Sequence, residues 1–267
     1  MNLSRMAAVP LRQFYLYRGS VARLVPMFAW VTIDMVLWGF MTRFLGGVAQ
    51  TQYRFVPALL GAVLFWDFMT RVMQGVTTAF FEDVWTRNFL NVFGTPLTMP
   101  EYIGGLLVSS MATSAVGLLV MLLVAGLGFG LSFAAYGAMV IPFLLVLFLF
   151  GMALGIGAIA IVLRLGPAAE WFVWPIPALL SPFAAVYYPV ATLPPSIRWI
   201  SRLLPPSYVF EGMRAVVSGQ GVNTALLGAA FALAILYIVL SYWIFARVFR
   251  RAVKSGLLAR YSAESVS

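Results

Sequence analysis

Residues 136–163 read YGAMVIPFLLVLFLFGMALGIGAIAIVL, without one charged side chain. About 20 apolar residues suffice for a helix to cross the hydrocarbon of a bilayer. Lipid offers no hydrogen bonds, so a backbone placed there must pair within its own segment, as a helix does. Five more long, mostly apolar runs flank it: Leu24–Phe44, Tyr53–Phe81, Tyr102–Phe133, Glu170–Pro189 and Leu226–Phe249. The pattern predicts an all-α integral membrane protein of six transmembrane helices, forming a single domain over residues 1–267.

Composition agrees. The 267 residues are 63% hydrophobic and 9% charged, against about 25% charged in ordinary soluble domains. A soluble fold of this size could not hide so much apolar surface. The net charge is +9, but the arginines gather at the chain ends and in short loops, which suits a membrane surface better than nucleic acid. There is no Cys and no His, which excludes disulfides, thiolate chemistry, the usual zinc sites and His acid–base catalysis. Arg5, Arg12 and Arg18 interrupt the N-terminus, so no cleavable signal is expected. With the N-terminus inside, inner segments carry eleven Arg and Lys residues and outer segments five. That predicts both termini in the cytoplasm. Residues 1–23 read as an amphipathic segment on the membrane, and 250–267 as a basic tail.

The loop between the second and third runs is unlike a bare connector. FFEDVWTRNFLNVFGTPLTMPE, residues 80–101, holds three of the eight acidic residues of the chain. Glu82–Phe93 is expected to form a short helix with Trp85, Phe89 and Phe93 on one side. Glu82 and Asp83 would then suit its positive N-terminus. Gly94 stops it, Pro96 prevents resumption, and Thr98-Met-Pro-Glu101 reads as a capping box for the next span. A helix that meets a partner and one that floats on lipid have the same composition here.

Eight of the fifteen prolines fall between Pro175 and Pro206. Proline removes a helix donor and clashes with the preceding turn. Two short helices, Ser196–Leu204 and Ser207–Val217, are expected there, each capped by its serine. Both are too short and too charged to cross, so 190–219 reads as an outer segment that re-enters the membrane or lies on it. Glu211 and Arg214 are spaced to pair locally. Tyr187 and Tyr188 suit either an interfacial belt or a stacking surface for substrate.

Asp34, Asp67 and Arg71 lie within spans, where charge is costly and faces protein or water. Asp67 and Arg71 share a helix face, so they form a structural pair or line a path. Gly151-x-x-x-Gly155 permits close helix contact.

Three stretches resemble the permease subunits of type-2 ABC exporters. They are LRQFYLYRGSVARLVPMFAWVTIDMVLWGF, EDVWTRNFLNVFGTPLTMPEY with its Thr95-Pro96-Leu97 turn, and SPFAAVYYPVATLPPSIRWISRLLPPSYVFEGMRAVV. The last carries Tyr188-Pro189, Leu193-Pro194, Leu204-Pro205 and Glu211-Gly212-Met213-Arg214. The resemblance implies a pair of permeases served by two separate ATPase subunits. These would dock on a coupling helix, residues 82–94, through Glu82, Asp83, Trp85, Arg87, Phe89, Thr95 and Pro96. It also implies an outer re-entrant pair of helices and export of an amphipathic polysaccharide, glycolipid or drug. No phosphate-loop motif occurs and Lys254 is the only lysine, so ATP and Mg are expected in the partner and no cofactor in this chain. Two rival readings use the carboxylates Asp34 and Asp67: a proton-coupled secondary transporter and an intramembrane lipid-modifying enzyme.

Overall fold

The computed structural model describes residues 2–48, 55–86, 88, 91, 92 and 94–255. They form helices and turns with no strand among the described residues. In chain order the helices are α1 (Leu3–Arg18), α2 (Val21–Val48), α3 (Phe55–Trp85), α4 (Met99–Leu123), α5 (Val140–Leu165), α6 (Ile176–Leu180), α7 (Arg198–Leu203), α8 (Pro205–Val217) and α9 (Thr224–Lys254).

Four helices are long and apolar enough to cross a membrane: Val21–Gly47, Met99–Gly128, Tyr136–Leu165 and Thr224–Lys254. They match the first, third, fourth and sixth expected spans. The second coincides with α3, which is as long at 31 residues but carries Asp67, Arg71, Glu82 and Asp83.

The fifth expected span, Glu170–Pro189, is not one helix. A 3-10 turn (Pro167–Phe172), the five-residue α6 and a run of turns replace it. Pro175, Pro177 and Pro182 each remove a donor that a continuous helix would need. The segment still runs the length of the bundle. Glu170 meets Trp85 at one end, and Ala184 and Val186 join the core at the other.

That core has two parts. One holds Val9, Phe80, Tyr102, Ile159, Phe245 and Ala252, so α1 and the end of α9 lie at the same end of the bundle. The other holds Met35, Phe65, Tyr136, Phe150, Val186 and Phe210 at the far end. Helix α3 runs through both and packs on α2, α4 and α5. Its contact with α5 depends on glycines. A Cβ added at Gly151 would sit 2.7 Å from the Met69 carbonyl oxygen, and one at Gly155 2.8 Å from Val76 Cβ. The Gly151-x-x-x-Gly155 face therefore packs within the chain.

Helix α1 begins at Asn2, whose side chain accepts from the Ser4 amide at 3.0 Å. Val9 packs on α4 where Gly105 leaves room. Leu3, Leu11, Phe14 and Tyr15 stay exposed, an apolar surface fit for lipid. At the far end, α7 and α8 match the two expected short helices. Their start signals differ from expectation, since α7 begins at Arg198 and α8 at Pro205, neither with a serine cap. The Ser207 hydroxyl instead donates to the Ser201 and Leu204 carbonyls, tying α8 to α7.

Candidate functional site

Two sites emerge: a junction of α1, α3 and α4 at the end where α1 lies, and a cavity beside it. At the junction the sequence expectation needs correction. Glu82 and Asp83 do not start a new helix; they close α3, which runs on to Trp85. A helix C-terminus is its negative end, so two carboxylates there are unfavourable unless cations or donors meet them. Those partners come from far along the chain. Arg12 pairs with Asp83 at 2.6 Å, and Arg23 with Glu82 at 3.1 Å. The Tyr102 hydroxyl donates to the other Asp83 oxygen at 2.7 Å. Asp83 is only 1% exposed.

The loop that follows is tied down as well. Asn88 N–H reaches the Asp83 carbonyl at 2.9 Å. The Thr95 hydroxyl donates to Val92 O at 2.6 Å, closing the turn at Gly94. Arg5 donates to the Pro96 carbonyl at 2.8 Å. Glu101 accepts from Thr98 N–H at 2.9 Å, as the capping box predicts, and from Asn2 N–H at 2.6 Å. Thr95 and Pro96 are exposed. Arg87, Phe89 and Phe93 lie outside the described residues.

Trp85 is not on a separate helix with Phe89. It ends α3, lies near the Phe81 ring (centroids 5.9 Å apart), and donates its indole N–H to Glu170 at 2.8 Å. There it lines the cavity.

That cavity has a volume of about 890 Å³ and is bounded by α2, α3, α4 and Trp174. Asp34 enters from α2; Asp67, Thr70, Arg71 and Gln74 from α3; Thr113 and Ser114 from α4. The Arg71–Asp67 approach is long, at 3.8 Å, and both side chains keep some exposure. Asp34 lies near enough to act on both groups electrostatically. The expected pair thus becomes a three-residue cluster on a cavity wall. The two atoms that meet, Asp67 Oδ2 and Arg71 Nε, are themselves buried, so removing the carboxylate takes one partner from a buried guanidinium. Asp67→Asn is therefore expected to cost about 1–3 kcal/mol, which a melting curve of the purified variant would check.

The outer residues form a separate knot. Glu211 accepts from Val190 N–H at 2.6 Å and pairs with Arg214 at 3.1 Å. Arg214 also donates to Ala185 O at 2.8 Å and Val186 O at 3.3 Å. Ala185 has φ 55°, a left-handed conformation that costs an ordinary residue energy, and Arg214 grips the backbone at this bend. Tyr187 stacks on Trp38, centroids 5.1 Å apart, and Tyr188 donates to Pro182 O at 2.8 Å. Pro189 extends from the bend into a 3-10 turn. Sequence reading missed the ties from Arg12, Arg23 and Tyr102 to α3. No local spacing signals partners 19 to 71 residues apart.

Four apolar helices long enough for a bilayer define a multi-pass membrane protein, with a charged cavity among its helices. The family model of the ABC-2 type transporter matches residues 16–217, and the chain belongs to that family. It is a transport subunit, a permease that works with an ABC ATPase. No curated protein matches it significantly.

Proposed function

We propose that this chain is the membrane half of an ATP-driven exporter. Two copies pair in a bacterial cytoplasmic membrane, with both termini in the cytoplasm. Two separate ATPases, holding ATP and Mg, dock on the loop between α3 and α4. An amphipathic substrate moves outward along a path that includes the cavity.

The observation that carries this reading is the anchoring of that loop. Its ends are bound to α1, α3 and α4 through Arg5, Arg12, Asp83, Glu101 and Tyr102. Force applied to Thr95 and Pro96 would pass into α3 at Asp83, beside the cavity. A loop merely floating on lipid would have no use for five ties. The residues best placed to touch an ATPase are Thr95 and Pro96, with Arg87 and Phe89 retained from the sequence. Trp85 belongs to the cavity wall instead. Family membership favours this reading over a proton-coupled transporter or a lipid-modifying enzyme.

The test is co-expression with an ABC ATPase encoded beside this chain. The two are expected to co-purify, and the chain alone should hydrolyse no ATP above a mock preparation. Native mass spectrometry should show two permeases with two ATPases. Activity of the permease alone, or no association with the ATPase, would sink the proposal.

A further inference from the structure

We infer that the exposed face of α9, at the end where α1 lies, binds the phosphate of an anionic phospholipid. This goes beyond the export reading and uses neither the α3–α4 loop nor the cavity.

Arg247, Arg250, Arg251 and Lys254 stand at i, i+3, i+4 and i+7 on α9. At 3.6 residues per turn they fall within an arc of about 100°. All four are exposed, and they alone line a hollow of about 270 Å³. Like charges at these spacings repel one another. No ion pair to any of the four occurs among the described residues. The negative end of the helix suits Arg251 and Lys254, which lie in its last turn. Arg247 and Arg250 lie further from that end. Arg250 donates its Nε–H to the Ala246 carbonyl at 3.1 Å. The four side chains make no other hydrogen bond among the described residues. A phosphate carries the charge this face lacks, and the planar fork of arginine fits phosphate oxygens two at a time.

The same face continues as an apolar stripe, and that makes the ligand a lipid. Leu236, Leu240 and Trp243 precede the cations and fall within the same arc. Each is about half exposed. The Arg247 guanidinium lies over the Trp243 ring, 3.8 Å from its centroid, so the ring joins the apolar stripe to the charged one. Tryptophan favours the boundary between hydrocarbon and headgroups. The order along the helix is apolar, aromatic, cationic, which is the order of a phospholipid from acyl chain to phosphate. The depth agrees. Phe245 and Ala252 share a core cluster with Val9 of α1, whose exposed Leu3, Leu11, Phe14 and Tyr15 suit the membrane surface. Of the four long apolar helices α9 is the least buried, which leaves this face open to lipid. Clusters of four or more cations at the end of a membrane helix attract anionic lipid. A free phosphate would have no use for the leucines, and an acidic protein surface would leave them uncovered.

The probe is phosphatidylglycerol, with phosphatidylcholine of the same acyl chains as its zwitterionic counterpart. The full chain is delipidated in neutral detergent, and native mass spectrometry counts the lipids bound as each is added. The first phosphatidylglycerol is expected to bind at least about tenfold more tightly than the first phosphatidylcholine. Exchanging all four cations for glutamine (R247Q, R250Q, R251Q and K254Q) should abolish that difference. Exchanging the three arginines for lysine should keep most of it. Arg43→Gln with Arg202→Gln removes two exposed cations from the far end and should leave the preference unchanged. Millimolar inorganic phosphate should not displace the lipid. Equal binding of the two lipids by the wild type overturns the inference. So does a glutamine variant that keeps the preference, or a far-end variant that loses it. Displacement by inorganic phosphate also overturns it, since the face would then be a site for a free anion. Should the glutamine variant melt below wild type, the lipid comparison and the phosphate competition on wild type decide. A glutamine variant that keeps its lipid preference but no longer co-purifies with the ATPase makes this face a protein dock and overturns the inference as well. The lipid assay contains no ATPase, so its failure leaves the export reading standing, and a missing ATPase association leaves the lipid site standing.

Discussion

Asp83→Ala is expected to lower the stability of the protein by about 3 kcal/mol and to loosen α1 from the bundle. The carboxylate is almost fully buried and holds Arg12 at 2.6 Å and the Tyr102 hydroxyl at 2.7 Å. Removing it leaves a guanidinium and a hydroxyl without their partner, which costs more than the pair itself contributes. Arg12 is about one-third exposed, so water relieves part of the loss and the low end of the usual 3–5 kcal/mol applies. The double variant Asp83→Leu with Arg12→Leu should recover part of the loss, because no lone charge remains. Thermal melting in detergent reads the first effect, and limited proteolysis near residue 18 the second. A single variant that melts within a degree of wild type, with α1 still protected, would remove the junction from the account of how the loop is held.

Gly151→Leu is expected to prevent folding altogether. Even the first carbon of a side chain would lie 2.7 Å from Met69 O and 2.9 Å from Val72 Cβ. The carbonyl belongs to the backbone of α3, so it cannot swing aside; α3 and α5 must part. One methyl forced into a packed interface costs about 1–3 kcal/mol, so Gly151→Ala should give a weakened but folded protein. Leucine adds three more carbons where the interface has no space. Native stabilities are only about 5–15 kcal/mol in total. Fluorescence-detected size exclusion should show the leucine variant aggregated and the alanine variant monodisperse with a lower Tm. Gly228→Leu on α9, where a Cβ meets nothing within 4 Å, is the control and should behave as wild type.

The helices were the most legible part of the fold. An uncharged run such as 136–163 has few alternatives once its length is noticed. The capping box at Thr98 and the stop at Gly94 could also be read, because each is a local pattern with a local cause. The error at Glu82 had a local cause too. Acidic residues after an apolar run resemble a helix start. Here they end one, and the cations that make this tolerable sit in α1 and at the start of α2. The proline density before Pro206 marked a broken segment correctly, yet counting apolar residues alone drew a straight span over Glu170–Pro189. At the cavity, the Asp67–Arg71 spacing was visible, but the convergence of Asp34 and Ser114 on the same wall depends on how α2 and α4 pack on α3. No one-dimensional spacing carries that.

The length of α3 has a mechanical meaning. Its 31 residues make a shaft of about 46 Å at 1.5 Å per residue. The hydrocarbon layer is only about 30 Å thick, so the shaft is about half as long again as the layer. The foot of the shaft carries Glu82 and Asp83, with Asp67 and Arg71 some way up and Gly61 against Tyr136 near the top. Packed on three sides, such a rod does not bend where it is pushed. A tilt of about 5° over its whole length would carry the opposite end by about 4 Å, close to the width of a methylene chain. A small displacement at the foot of this lever is therefore enough to change the width of the cavity beside it.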